Sequence, residues 1–253
     1  MGRVRVGCAG WSIPGRHRAL FDGGDSQLAR YATRFGAVEI NSSFYRPHRH
    51  ETYRRWAGSV PRGFRFSVKL PRTISHDLRL RGAAPSLDRF LAEVDGLGSR
   101  LGALLLQFPP SLAFDARQAS AFLRLFRRRS DTPLACEPRH ASWFTPRADE
   151  LLRMHGATRV AADPARVPAA AVPGGDTRWS YWRWHGAPRM YYSAYPDDAL
   201  AELVGQLRAA HGRGTAWVIL DNTAHGHAVD DAARLQSLLA GAATRTSRRP
   251  RGA

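Results

Sequence analysis

Lysine is almost missing from this chain. Of its 38 lysines and arginines only Lys69 is a lysine, and asparagine occurs only at Asn41 and Asn222. Such depletion points to a drift towards arginine across the whole chain, so the formal net charge of +17 does not by itself demand a polyanionic partner. Two cysteines, Cys8 and Cys136, exclude a disulfide-rich scaffold, and each sits in a predicted strand, where a thiol acts as a small apolar group. No apolar stretch approaches the ~20 residues of a membrane-spanning helix, and the chain starts M-G-R-V-R-V without a secretory pattern. The cytoplasm is therefore the expected location. Also lacking are G-x-x-x-x-G-K-S, H-E-x-x-H, G-x-S-x-G and G-x-G-x-x-G, so P-loop, zincin, serine-hydrolase and dinucleotide-binding chemistry have no support.

What the chain does have is a repeated design: a short apolar run that ends in polar residues. It is plainest in P-L-A-C-E-P-R-H-A-S-W, residues 133–143, and recurs in V-E-I-N, F-R-F-S-V-K, L-L-L-Q, V-A-A-D, Y-W-R-W-H and W-V-I-L-D-N. Side chains alternate along a strand, so each run sends one set towards helices and the other set inward, with charge arriving at the end. Predicted strands cover 5–9, 37–41, 64–69, 103–108, the run from 134, 158–163, 181–185 and 216–220. Predicted helices lie between them, except for the proline- and glycine-rich sixth crossover, which reads as a loop. With 253 residues this pattern specifies an α/β fold, a single (β/α)8 TIM-type barrel of the usual ~250 residues. A doubly wound sheet is the competing arrangement. The barrel is assigned residues 1–240, and 241–253 reads as a basic, disordered tail.

Active sites of such barrels are built at the C-terminal strand ends. The polar residues there are Glu39, Asn41, Lys69, Gln107, Glu137, Arg139, His140, Asp163, Arg183, His185, Asp221 and Asn222. Glu39, Lys69 and Glu137 are the catalytic candidates. Trp11, Asn41, Tyr45, His76, Gln107, Arg139, His140, Asp163, Arg183, His185 and Asn222 are the candidates for binding substrate. Three carboxylates beside His185 would suit a divalent cation, but Lys69, Arg139 and Arg183 would repel one and suit anionic oxygens. No metal ligand is therefore assigned and no cofactor is expected. A glycosidase-like carboxylate pair and a Schiff-base lysine remain alternatives. Lys69 stands out because a compact, titratable ammonium survives where drift has favoured guanidinium.

At these residues the chain resembles a known family. V-E-I-N-S-S-F-Y-R, G-F-R-F-S-V-K-L-P-R-T-I-S-H, L-G-A-L-L-L-Q-F-P-P-S, E-P-R-H-A-S-W and R-W-H-G, with an early G-W, are similar to the YecE-like family, domain of unknown function 72. The resemblance implies a TIM-type barrel with distant likeness to sugar isomerases and endonuclease IV, and no established reaction. The chain departs from the family pattern at D-N-T-A-H-G-H-A, where Asp221 adds a carboxylate. The expectation is a monomeric enzyme taking an anionic, phosphate-bearing small molecule or nucleotide by general acid–base chemistry. The alternatives are a non-catalytic nucleic-acid binder, suggested by arginines near Trp11, Tyr45, Trp56 and Trp143, or a metal-dependent enzyme of the endonuclease IV or sugar-isomerase kind.

Overall fold

A computed structural model describes residues 2–210 and 214–247. Its strands fall into two sheets. One orders β1 (Val4–Cys8), β10 (Ala216–Leu220), β9 (Ser180–Trp184) and β7 (Ala161–Asp163). The other orders β2 (Ala37–Ile40), β3 (Arg65–Lys69), β4 (Leu101–Gln107), β5 (Leu134–Glu137), β6 (Ala157–Arg159) and β8 (Gly174–Gly175). All pairings are parallel apart from β6 with β8. Helices α1 (Gln27–Tyr31), α2 (His50–Gly58), α3 (Ala84–Val94), α4 (Ala116–Arg127), α5 (Pro146–Met154), α6 (Asp197–Ala210) and α7 (His227–Ser247) supply the crossovers. The result is a mixed, barrel-like α/β fold, and the parallel pairing sets the C-terminal strand ends on one side.

The seams between the sheets are close. The Gly10 amide donates to the Glu39 carbonyl at 2.8 Å and the Ala9 amide to Leu220 at 3.0 Å, which ties β2 to β1 and β1 to β10. Gly7 is needed there, since a Cβ on it would lie 2.2 Å from the Ala37 carbonyl oxygen. At the other seam the single predicted strand 158–163 is divided. β6 pairs with β5, β7 pairs with β9, and Val160 between them still donates to the Cys136 carbonyl at 2.8 Å. The division corrects the sequence reading: one strand changes sheet partners at its middle.

Alternation works as the pattern predicted. Phe66, Val68, Leu104, Leu106, Leu134, Cys136, Trp182, Trp184, Val218 and Leu220 join the large core packed against the helices. Their neighbours Ala103, Leu105, Ala135, Tyr181, Trp217 and Ile219 form a second, smaller cluster on the other strand face. Burial of the first set is the main stabilising term, at ~1.5–3 kcal/mol for each large side chain. Helix starts follow their caps: the Asp115 carboxylate accepts from the Gln118 amide and the Thr145 hydroxyl from the Ala148 amide, ahead of Pro146. The sixth crossover is a short turn, Pro168–Ala171, and the β8 dipeptide, as its prolines required. One boundary moves: α7 continues through Ser247, so residues 241–247, read as tail, are helical. Residues 248–253 lie outside the described residues.

Candidate active site at the strand ends

The inward file of polar side chains converges on Arg183. Its Nε and one Nη donate to the two oxygens of Glu39, at 3.0 and 2.8 Å. Its other contacts are Glu137 at 2.6 Å and Asp221 at 2.9 Å. Glu39, Glu137 and Arg183 are at most 1% exposed and Asp221 is 5% exposed. Buried carboxylates persist only when paired. Burial pushes the Glu137 carboxyl up, but Arg183, Arg139 and His185 outweigh it and hold the group well below the usual carboxylate range. Asp221 is likewise lowered, burial being overcome by Arg183, His185 and Lys69.

Around this centre lie the groups that shape it. The Tyr181 hydroxyl bridges Glu39 at 2.8 Å and the Ser67 hydroxyl at 2.7 Å. The ring nitrogens of His185 face Asp221 at 2.9 Å and Glu137 at 3.2 Å. Gln107 donates to Glu137 at 3.1 Å, and Arg139 bonds Glu137 at 2.5 Å while its own Nε is buried without a partner. Tyr191 sets its ring 5.7 Å from that of His185, on a backbone with φ of +69°. Such a conformation is rare for a bulky residue and marks a constrained loop over the site.

Lys69 is different from the rest. It is 4% exposed, no side chain among the described residues accepts a hydrogen bond from it, and its ammonium lies 4.1 Å from the centre of the Phe44 ring. Burial, reinforced by the positive charge of Arg183, pushes its pKa down from 10.5 to about 8, with Glu137, Glu39 and Asp221 holding it from falling further. His76 stacks edge-on against the same ring with centroids 5.0 Å apart. Burial, Lys69, Arg72 and Arg139 lower its pKa, so near neutral pH it is an uncharged imidazole. Nearby, the Asn41 Oδ1 is buried with no partner.

Of the residues expected from the sequence, Glu39, Lys69, Gln107, Glu137, Arg139, Arg183 and His185 come together, with His76 and Asn41 at the edge. Others have different duties. Asn222 donates to Ser193 and Asp231, on the α7 side. Asp163 accepts from the Tyr195 hydroxyl at 2.6 Å, and His140 caps the turn that carries Ser142. Trp11 packs edge-on against Trp56, and Tyr45 is 73% exposed beside Phe44. Trp143 is buried and stacked on Phe108, so it offers no face to a nucleic acid.

Two expected roles are corrected. Arg183 cannot clamp a ligand, because its guanidinium is buried among three carboxylates. Glu39 cannot shuttle protons to a ligand, because both of its oxygens are held and it is 0% exposed. Tyr181, Ser67, Phe44 and Tyr191 were missed as site residues, and Asp221, marked at its strand end, was given no role; the inward alternation of β3 and β9 already marked Ser67 and Tyr181. A divalent cation would have to displace Arg183 from Glu39, and among the described residues no group of three or more His, Cys, Asp or Glu side chains is placed to hold a metal.

A barrel-like α/β fold carrying an ionic network at its C-terminal strand ends defines the class of protein, and comparison supplies its family. The family model "Protein of unknown function DUF72" matches residues 5–253, and the chain belongs to that family. It is 31% identical over 173 residues to the "UPF0759 protein YecE" of Escherichia coli K12, a match covering 66% of this chain and 61% of that protein. It is 23% identical to the "UPF0759 protein YunF" of Bacillus subtilis, over 93% of this chain and 94% of that one. The crystal structure of a DUF72 family protein from Enterococcus faecalis superposes with a TM-score of 0.79 at 23% identity, covering 94% of this chain and 95% of that chain. One from Thermotoga maritima gives 0.78 at 24% identity, covering 94% of this chain and 99% of that chain.

Proposed function

We propose that this protein is an enzyme acting on an anionic, phosphate-bearing small molecule or nucleotide, by general acid–base chemistry at the C-terminal strand ends. The observation that carries the reading is the unequal use of charge. Arg183 occupies Glu39, Glu137 and Asp221, and this leaves Lys69 desolvated without a carboxylate partner, with an unpartnered Arg139 Nε nearby. Fixed donors in a low-dielectric site stabilise negative charge without having to reorganise. Lys69 and Arg139 hold the anion, Lys69 or His76 moves the proton, and Glu39 and Glu137 fix Arg183 and the field it makes. The protein works as a cytoplasmic monomer and needs no resident cofactor in this reading. We also read the two sheets as one closed (β/α)8 barrel, supported by the Gly10–Glu39 hydrogen bond at one seam and Val160 at the other.

A thermal-shift screen of phosphorylated metabolites tests the proposal. A hit should raise the melting temperature of the native protein and lose most of that effect in both Lys69→Arg and Lys69→Ala, because arginine keeps the charge but enlarges and flattens the donor. A Lys69→Arg variant that binds like the native protein would sink it. A second reading, nucleic-acid binding, is favoured by one observation at the opposite end of the strands. There Arg3, Arg5, Arg62, Arg65 and Arg100 gather with no ion pair among the described residues, bonding only to the Gly63, Arg62 and Phe64 carbonyls where they bond at all.

A further inference from the structure

We propose that Lys69 is a covalent nucleophile, whose amine condenses with the carbonyl carbon of an anionic oxo compound: an oxo acid, or a phosphorylated aldehyde or ketone. This deepens the reading of the site as one for anionic small molecules and rests on it.

Three features of the geometry support the assignment. The lysine side chain is buried, and its nitrogen lies over the face of Phe44 and makes no hydrogen bond among the described residues, so its lone pair, once deprotonated, has no competing donor. The carboxylates that would otherwise hold it as an ammonium are committed to Arg183, Arg139 and Tyr181. Arg183 adds like charge, and a lysine desolvated next to another cation is a recognised way to make an amine nucleophilic. With the pKa at about 8, roughly a tenth of the side chain is free amine at pH 7, against well under a thousandth for an ordinary lysine.

The surroundings suit the partner. Arg139 has an unpartnered Nε for the anionic group of the substrate, and the Asn41 Oδ1 lacks a donor, which a hydroxyl beside the carbonyl would supply. His76, uncharged and against the same phenyl ring, takes the proton that the ammonium must lose and returns it to the departing oxygen. The step balances without another reagent. The nitrogen forms a bond to the carbonyl carbon, giving a carbinolamine; the C–O bond then breaks, water leaves, and a protonated imine remains. An imine so formed draws electrons from the adjacent carbon, which makes proton removal or carbon–carbon cleavage there the chemistry it serves.

Because the chain has a single lysine, the test is unusually direct. The native protein is incubated at pH 7 with glyceraldehyde 3-phosphate, and separately with pyruvate, in sodium cyanoborohydride, then analysed by intact mass and peptide mapping. The expected result with at least one of them is a saturable adduct on Lys69. It should form at least about tenfold faster than on the same lysine in the denatured chain, be slowed by glycerol 3-phosphate, and be absent from a folded Lys69→Met variant. Labelling confined to the α-amine, or equal rates in folded and denatured protein, would overturn the proposal. Glycerol 3-phosphate separates the two levels of inference, since it carries the anion without the carbonyl. Stabilisation by it with no Lys69 adduct would remove the covalent step and leave the anion site, whereas neither stabilisation nor adduct would remove both.

Discussion

Replacing Arg183 by methionine would remove the cation that contacts Glu39, Glu137 and Asp221. Breaking one side of a buried ion pair costs ~3–5 kcal/mol. At ~2–4 °C per kcal/mol for a chain of this size, the melting temperature should fall by about 10 °C. The acid sensitivity should also weaken. In the native protein Glu137 and Asp221 are held below their ordinary values of 4.5 and 3.8. Their contribution is therefore complete above those values and lost as pH falls through the folded ones. Without Arg183 the largest charge opposing burial is gone, while Arg139 and His185 still act on Glu137 and His185 and Lys69 on Asp221, so both pKa values should rise and the stability deficit of the variant should be smaller at pH 4 than at pH 7. Melting curves at the two pH values check this, and a variant as stable as the native protein would show the network to be dispensable. At this scale the sequence was only partly legible. Arg139 and Arg183 look alike as arginines at strand ends, yet one has a free Nε and the other is enclosed. Which of the two a ligand can reach depends on the partners that other strands bring, and alternation within one strand does not contain that. Tyr191 was invisible for a related reason: its place is set by a left-handed backbone in a loop, where no periodicity applies.

At the scale of elements, the contact between β1 and β2 decides whether the two sheets can meet. Gly7 faces the Ala37 carbonyl with no room for a methyl group, whereas Gly63 has nothing within 4 Å. Gly7→Ala should therefore destabilise by ~1–3 kcal/mol or more through overpacking, while Gly63→Ala should stay within about 1 kcal/mol. Chemical denaturation of both variants makes the comparison, and equal stabilities would contradict the account of this seam. Most elements were legible, because the alternation in β3 and β9, the apolar run of β4 ending in a polar residue, and the caps at Asp115 and Thr145 are local signals. The division of residues 157–163 into β6 and β7 was not. A continuous apolar run says nothing about which neighbour each half will pair with, and here the two halves pair with β5 and β9.

For the whole molecule, the question is what the net charge of +17 does. If drift towards arginine explains it, binding to DNA or RNA at low salt should be weak, and turnover of a small anion should survive added salt. A polyanion binder would lose affinity steeply, by ~10³–10⁵ between 50 and 200 mM salt for 6–10 phosphate contacts. Tight, salt-sensitive binding, abolished by neutralising Arg3, Arg5 and Arg65, would favour the second reading instead.

The central claim is that Lys69 is a desolvated, ligand-facing amine, and a single-lysine chain allows it to be observed alone. Protein labelled with ¹³C-lysine should give one Cε resonance, whose titration reports the side chain directly. The account predicts a midpoint near 8, moving upward when an anionic ligand from the phosphorylated set is bound, since a nearby anion favours the charged form. A midpoint at the ordinary 10.5, unchanged by every ligand tried, would contradict it.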